Sequence, residues 1–169
     1  DSTIYSHPDR NTMNTGIDEI LELVKEKGSN NQFFYPSRIL IQFSNSDIQK
    51  AINLTENNFV ANLQLLSTEH KNLASNQSIE VFAISQSWDE GTGRYSNLPI
   101  GSNGCSWKFR DNDTNKSLWV SSSLFSSSFT SSLAPGTTAS FGSDPVPEGG
   151  GAWYTGSEFQ GAQQFLNGD

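Results

Sequence analysis

Residues 79–119 carry the most informative pattern in the chain, IEVFAISQSWDEGTGRYSNLPIGSNGCSWKFRDNDTNKSLW. The first six of these residues alternate, with Ile79, Val81 and Ala83 on one face. Such a period of two, with β-branched and aromatic residues, predicts a β-strand. The WDEGTGR run at 88–94 then predicts a loop, because its two glycines allow backbone angles that other residues avoid.

A second alternating stretch follows this loop at residues 105–109, CSWKF. In a strand, Trp107 would share one face with Cys105 and Phe109, and we expect that face to lie in the core. The polar DND at 111–113 predicts a turn. The segment therefore predicts strand, glycine loop, strand, polar loop and strand, with a tryptophan near each junction.

Composition restricts the class of protein. The 169 residues suffice for one domain, and 11 phenylalanines and four tryptophans offer large side chains for its core. The net charge of −8 disfavours nucleic acid and anionic membranes as partners. The single cysteine, Cys105, excludes an internal disulfide.

The N-terminal part contains two ambiguous segments. Residues 1–16 are polar and predict either an arm or a first edge strand followed by a loop. Residues 18–27 (DEILELVKEK) fit a helix by propensity and also fit a strand by alternation.

Two further strands and one helical turn are predicted before residue 79. Residues 37–43 (SRILIQF) place Ile39, Ile41 and Phe43 on one face, and the opposite face offers Arg38 for a surface ion pair. Residues 59–66 (FVANLQLL) alternate as a half-buried strand. Residues 47–52 predict a short helical turn capped by Ser46 or Asn45.

The predicted organisation is a single all-β domain, an antiparallel β-sandwich or jelly roll with one or two short helical turns. Its parts are an N-terminal arm or edge strand (1–16), a sandwich core (17–120), a Ser/Gly/Pro-rich loop region (121–152), and a last strand with a polar C-terminal tail (153–169).

The order of these motifs resembles the DNRLRE-type domain, a jelly-roll module of bacterial surface proteins and carbohydrate-active enzymes. The resemblance spans roughly residues 4–154 and rests on Arg38, Phe43, Trp88, Glu90, Gly91, Gly93, Ser106 and Trp107. It implies a strand at 20–24, which decides the ambiguity there in favour of a strand. The sequence motifs SQSWDEGTGR and SWKFRD are most similar to those of virion structural proteins of tailed bacteriophages, especially cyanophages.

The same resemblance implies that further strands should follow Trp153 and close the sandwich. The chain shows no obvious strand pattern after that region. We therefore expect a sheet that is incomplete at the C-terminus and is completed by a longer polypeptide or by neighbouring chains.

Motifs of catalysis are not evident, so we predict a non-enzymatic protein. His7 and His70 stand in polar stretches away from any motif serine or cysteine, and neither a nucleophile elbow nor a phosphate-binding loop occurs. The adjacent Asp89 and Glu90 read as turn residues rather than as the facing acids of a glycosidase.

One partial metal motif occurs at Asp111, Asp113 and Asn115, which alternate like the first ligands of a calcium loop. Lys116 stands where such a loop needs glycine, and Ser122 where it needs a bidentate glutamate. An Asx turn is thus the preferred interpretation and structural Ca²⁺ the alternative; no other cofactor is predicted.

Trp88, Trp119 and Trp153 lie beside predicted loops and admit two interpretations. Exposed tryptophans would offer a platform on which sugars stack. Tryptophans at strand ends more often close the core, with the indole N–H bonded to a loop carbonyl.

The functional expectation is a structural protein of a phage virion, in the tail, the baseplate or on the head surface. Its partners would be other virion proteins and copies of itself, with a host surface glycan as an additional ligand. The alternative is an extracellular carbohydrate-binding module of a bacterial surface protein or a polysaccharide-degrading enzyme.

Overall fold

The computed structural model describes residues 1–27, 34–51, 63–68, 76–113, 116–119, 149–152 and 162–167. Its elements are β1 (Ser2–Tyr5), β2 (Lys25–Lys27), β3 (Phe34–Leu40), α1 (Asn45–Ala51), β4 (Asn76–Val81), β5 (Phe109–Asp111), β6 (Ser117–Leu118) and β7 (Ala162–Asn167). Every strand pair in these ranges is antiparallel. The strand-rich, antiparallel class predicted from the sequence is therefore confirmed.

The chain divides into two compact units. The larger comprises Asp1–Ile41 and Phe82–Gln160, and the smaller comprises Gln42–Val81 and Gly161–Asp169. No helix in the described ranges is long and apolar enough to cross a membrane.

The main sheet of the larger unit has the strand order β1-β3-β2. Of the two predictions for residues 1–16, an edge strand is the one observed, and all four residues of β1 are buried. On the side of β1 away from β3, the Thr15 hydroxyl accepts a hydrogen bond from the Thr3 N–H at 3.0 Å and donates one to the Thr3 carbonyl at 2.8 Å. A side chain thus takes the place of a further strand along this edge.

The strand chosen for residues 18–27 forms only at Lys25–Lys27, so the narrower prediction at 20–24 is wrong, and so is the alternative of a helix. Residues 20–24 run beside the sheet, and the Val24 carbonyl accepts the Ser37 N–H at 2.9 Å. Side-chain hydroxyls accept two further backbone bonds: the Glu22 N–H donates to Thr3 Oγ1 and the Val24 N–H donates to Ser37 Oγ. Polar side chains have satisfied the backbone here, which explains why neither regular element forms.

The strand predicted at 37–43 is correct in type but shifted. β3 ends at Leu40, and Phe43 is 62% exposed. The buried face is the one that carries Leu40 rather than the one that carries Ile39.

The core of the larger unit is a cluster of Ile4, Leu40, Cys105, Trp107, Trp119 and Ala152. Cys105 and Trp107 belong to it as predicted, but Ser106 between them is also buried. The strand predicted at 105–109 is therefore wrong, because this segment does not alternate. It enters the core as a loop, in which the Cys105 N–H donates to the Asp89 carbonyl and the Ser106 N–H to the Phe109 carbonyl.

Arg38, for which the alternation predicted a surface ion pair, contacts the core tryptophan Trp107. Its guanidinium lies 4.7 Å from the centre of the Trp107 ring, and Nη1 donates to the Gly150 carbonyl. The Gly150 N–H donates in turn to the Trp107 carbonyl at 2.6 Å. Burial lowers the pKa of Arg38 to about 9. This side chain is therefore part of the packing around Trp107.

The glycine run at 149–151 permits this packing. All three glycines have positive φ. A Cβ on Gly149 would collide with the Trp107 carbonyl, and one on Gly150 would collide with the Trp107 ring. The run thus lets backbone lie directly against the central tryptophan.

The predicted polar turn at 111–113 is confirmed. The Asp113 N–H donates to Asp111 Oδ1 at 2.9 Å, which is an Asx turn, and β6 follows it. The two short strands β5 and β6 pair on either side of the turn with an irregular register.

In the smaller unit, the predicted helical turn is confirmed as α1. Its cap is Ser44 rather than Ser46 or Asn45. The Asp47 N–H donates to Ser44 Oγ at 3.1 Å, and Ser44 Oγ donates to Asp47 Oδ2 at 2.6 Å. The Ser44 hydroxyl therefore caps the first turn, and the Asp47 carboxylate orients that hydroxyl.

Two further predictions in the smaller unit need correction. Residues 63–66, the part of the 59–66 strand that the structure describes, form no strand, and Leu66 is 88% exposed. The C-terminal segment predicted as a polar tail contains β7, which pairs with β4 over all six residues. Backbone ladder bonds can hold such a glutamine-rich strand even though its hydrophobic pattern is weak.

Candidate interaction surface

Asn14 is the polar centre of the larger unit. It is fully buried, and its Nδ2 donates to the Glu90 carbonyl at 2.7 Å and to the Cys105 carbonyl at 2.8 Å. Its Oδ1 accepts the N–H groups of Gly16 at 3.1 Å and Gly93 at 2.7 Å. One amide therefore joins three chain segments that are distant in sequence.

The glycines of the 88–94 loop leave room for this amide. A Cβ on Gly91 would collide with the Asn14 side chain, and a Cβ on Gly93 would collide with the Asn14 carbonyl. A Cβ on Gly104 would collide with Gly91. The glycines that the sequence assigned to a loop are thus needed mainly for close packing around Asn14.

The network around Asn14 closes a loop at residues 93–101. The Asn14 N–H donates to the Gly101 carbonyl at 2.8 Å, and the Ile17 N–H donates to the Gly93 carbonyl at 3.2 Å. Gly101 also lies close to the Cα of Gly93. Because its two ends meet, this segment is a compact Ω-type loop held from below by Asn14.

The loop presents apolar side chains to solvent. Leu98 is 93% exposed, and Tyr95 and Ile100 are also exposed. The neighbouring segment 17–23 adds Ile17, Ile20 and Leu23, so six exposed hydrophobic residues come from two segments. We call these six residues the apolar surface.

Direct contacts hold the two segments of the apolar surface together. The Tyr95 N–H donates to Asp18 Oδ2 at 2.9 Å. The Tyr95 ring packs 5.6 Å from the ring of Tyr5, whose hydroxyl donates to Glu22 Oε2 at 2.7 Å. Burial, and then this hydrogen bond, raise the pKa of Tyr5.

Arg10 supports the same region from behind. Its guanidinium lies 5.7 Å from the ring centre of Tyr5 and 5.5 Å from that of Tyr95, and it donates to both the Tyr95 hydroxyl and Glu26. Burial acts to lower the pKa of Arg10, but Glu26 and Tyr95 raise it overall. A cation–π contact and a hydrogen bond from Arg10, which is itself paired with Glu26, therefore fix Tyr95 in place.

The border of the apolar surface is acidic. The two segments that carry it, 17–23 and 94–100, contain three carboxylates, Asp18, Glu19 and Glu22, and one cation, Arg94. Glu19, Glu22 and Arg94 are exposed, and the charge of the two segments is −2. Arg10, which contacts Tyr95, is paired with Glu26.

The tryptophans proposed for sugar stacking lie in different environments. Trp119 is 5% exposed, and its indole N–H donates to the Ser106 carbonyl at 2.8 Å. This is the core-closing arrangement that the sequence favoured. Trp88 is partly buried and packs against the core cluster, and Trp153 lies outside the described residues.

The calcium candidates are only partly described. Asp111 Oδ1 is engaged by the Asp113 N–H, as in an Asx turn, and Asn115 lies outside the described residues. In the described parts of the chain, no three His, Cys, Asp or Glu side chains come together as a metal site would require.

The histidines and the cysteine are placed as follows. The His7 ring packs edge-on against Tyr35 at 5.0 Å, and His70 lies outside the described residues. Cys105 is a buried free thiol, and burial raises its pKa to about 11. A thiol of that kind is a poor nucleophile at neutral pH.

Sequence reasoning missed the apolar surface. The signal was present in YSNLPI at 95–100, an apolar group placed between two glycines in a segment without strand alternation. Asn14 was missed because a buried asparagine looks the same in sequence as one in a polar arm.

No protein-family model, curated protein or solved structure matches the chain.

Proposed function

We propose that this chain is a non-enzymatic structural protein of a tailed-phage virion, in the tail, the baseplate or on the head surface. It acts through protein–protein assembly. The observation that carries the assembly role is the apolar surface, in which Leu98 is 93% exposed. Scattered apolar residues are ordinary on a protein surface, whereas a group of them marks a contact site.

The way in which the surface is built supports this role. Asn14 anchors the loop that carries Leu98, and Arg10 and Asp18 hold Tyr95. A loop fixed in this manner loses little conformational entropy when a partner binds, so the contact area contributes more fully to affinity.

The virion setting and the jelly roll come from the resemblance of residues 79–119 to phage structural proteins. Within the larger unit, the antiparallel sheets β1-β3-β2 and β5-β6 are compatible with part of a sandwich of that type. The alternative, a carbohydrate-binding module, has less support, because Trp119 is buried and Trp88 packs against the core.

Particle composition tests the proposal. In the phage that encodes the chain, we expect mass spectrometry of purified particles to detect it at fixed stoichiometry. Leu98→Ser should remove the chain from particles, whereas Leu118→Ser, at an exposed residue outside the apolar surface, should not. A soluble chain that is made during infection but is absent from wild-type particles would overturn the virion assignment.

A further inference from the structure

We propose that the partner of the apolar surface is a basic protein surface, an apolar recess bordered by lysine and arginine side chains. This inference rests on the proposed assembly function and specifies the chemistry of the partner. It follows from the combination of the apolar surface with its acidic border.

Leu98 determines what the recess of the partner must contain. Leu98 stands almost entirely in solvent at the tip of the loop, and Tyr95 and Ile100 flank it. The shape is a projection, because the loop ends meet at Gly93 and Gly101. A projecting leucine gains most from a partner that surrounds it with apolar side chains.

The carboxylates beside the apolar surface determine what must surround that recess. Three carboxylates, Asp18, Glu19 and Glu22, and one arginine lie in the segments that carry the apolar surface. Asp18 and Glu22 are held there by hydrogen bonds from the Tyr95 N–H and the Tyr5 hydroxyl. Lysine and arginine at the border of the partner would complement these carboxylates and would speed association.

The same charges argue against other occupants. A second copy of this chain would place one acidic border against another, and the net charge of −8 adds to that repulsion. Anionic lipid and nucleic acid carry the same sign of charge. A basic protein is therefore the occupant that both the apolar and the acidic residues favour.

Two synthetic amphipathic helices with identical leucine positions test this inference. One has lysine at all other positions and the other has glutamate. We expect the leucine–lysine peptide to shift the amide NMR signals of residues 17–23 and 94–100 in the full chain, and the leucine–glutamate peptide to leave them unchanged. Binding should weaken as salt is added.

Matched variants locate the contact. Leu98→Ser should weaken binding of the leucine–lysine peptide about tenfold or more, since burial of one leucine is lost. Leu118→Ser should bind like the wild type. Glu19→Gln should weaken binding and reduce its dependence on salt, because it removes one exposed carboxylate from the border.

Several outcomes would overturn the inference. Equal binding of the two peptides would remove the charge requirement, and unaltered binding by Leu98→Ser would remove the surface. Concentration-dependent dimerisation that is lost in Leu98→Ser would identify a second copy as the occupant. Leu98-dependent binding to phosphatidylcholine vesicles, with no peptide binding, would identify a lipid surface.

The peptide experiment tests the partner chemistry, and the particle experiment tests the assembly role, so either hypothesis can be contradicted without the other. Charge-selective peptide binding together with retention of Leu98→Ser in particles would support the partner chemistry and contradict the assembly role. Loss of the Leu98→Ser variant from particles, with equal binding of the two peptides, would support the assembly role and contradict the partner chemistry.

Discussion

The Arg38 guanidinium lies 4.7 Å from the centre of the Trp107 ring, inside the packing of the larger unit. The Gly150 carbonyl accepts a hydrogen bond from the same guanidinium. A planar cation that can stack and donate in its own plane is suited to this position. An ammonium group would keep the charge but would lose the stacking.

We therefore predict that Arg38→Lys destabilises the larger unit. Lysine keeps the charge but loses the planar stacking on Trp107, and should lower the free energy of unfolding by about 2 kcal/mol. Urea unfolding followed by tryptophan fluorescence measures the loss, and a lysine variant as stable as the wild type would contradict it.

Removal of the Asn14 amide should destabilise the larger unit strongly. Asn14→Ala leaves the Glu90 and Cys105 carbonyls and the Gly93 N–H without their bonds, and we expect a loss of about 3 kcal/mol or more. Asn97→Ala is the matched control, because Asn97 Oδ1 accepts only an exposed bond from the Arg94 N–H in the bonds described here. Similar unfolding midpoints for the two variants would refute a central role for Asn14.

Cys105 should make stability fall at alkaline pH. Burial raises its pKa to about 11 from 9.0, so the unfolded chain loses the thiol proton at a lower pH than the folded chain does. The contribution of the neutral thiol is fully present below pH 9 and is lost as the pH rises through 11. At about 1.4 kcal/mol per pH unit, the loss approaches ~3 kcal/mol over this interval.

The comparison of wild type with Cys105→Ala isolates this contribution, since Tyr5 also has a raised pKa and titrates in both proteins. The stability difference between the two should shrink from pH 8 to pH 11 in urea titrations. A difference that stays constant over this range would show that Cys105 ionises alike in the folded and unfolded chains.

Ser44 should control the fraying of α1. Ser44→Ala removes the cap on the Asp47 N–H and should cost about 1 kcal/mol of local stability. Amide hydrogen exchange at Asp47 and Ile48 should quicken. Ser46→Ala is the control, because Ser46 bonds the Ser44 hydroxyl and not the backbone of the first turn; faster exchange in this variant alone would identify Ser46 as the cap.

Leu98→Ser should change association without changing stability. The leucine is 93% exposed, so its replacement should alter the free energy of unfolding by less than about 0.5 kcal/mol. Thermal unfolding monitored by circular dichroism provides the measurement. A large drop in the midpoint would mean that Leu98 packs within the protein, and would remove it from the apolar surface.

Sequence patterns identified elements whose evidence is local. α1 and the Asx turn at 111–113 depend on neighbouring residues, and both form at the predicted places. β3 and β4 also overlap their alternating segments, although each begins and ends earlier than predicted. The antiparallel class follows from such elements together with the absence of a βαβ pattern in the sequence.

The predictions that proved wrong share a different physical origin. At residues 20–24 and 105–107, bonds from distant residues replaced the expected ladder. At residues 63–66, an alternating pattern occurs in exposed chain that forms no strand. Local periodicity cannot register a hydroxyl or an amide that arrives from another part of the sequence.

The apolar surface could not be predicted from local sequence patterns for the same reason. Tyr95 is placed by Asp18 and Arg10, each more than seventy residues away in sequence. The hydrophobic residues could be read from the sequence, but not their assembly into one surface. Asn14, which closes the loop, could be recognised only once Gly93 and Gly101 were seen beside it.

The hydroxyl of Thr15 has a consequence for how this protein can self-associate. It occupies both hydrogen-bonding groups of Thr3 on the open side of β1, so an incoming strand would first have to displace it. At the opposite edge, β2 carries the exposed Lys25 and Lys27, which discourage the same event. In the described part of the main sheet, both edges therefore oppose the templated strand addition by which filaments grow.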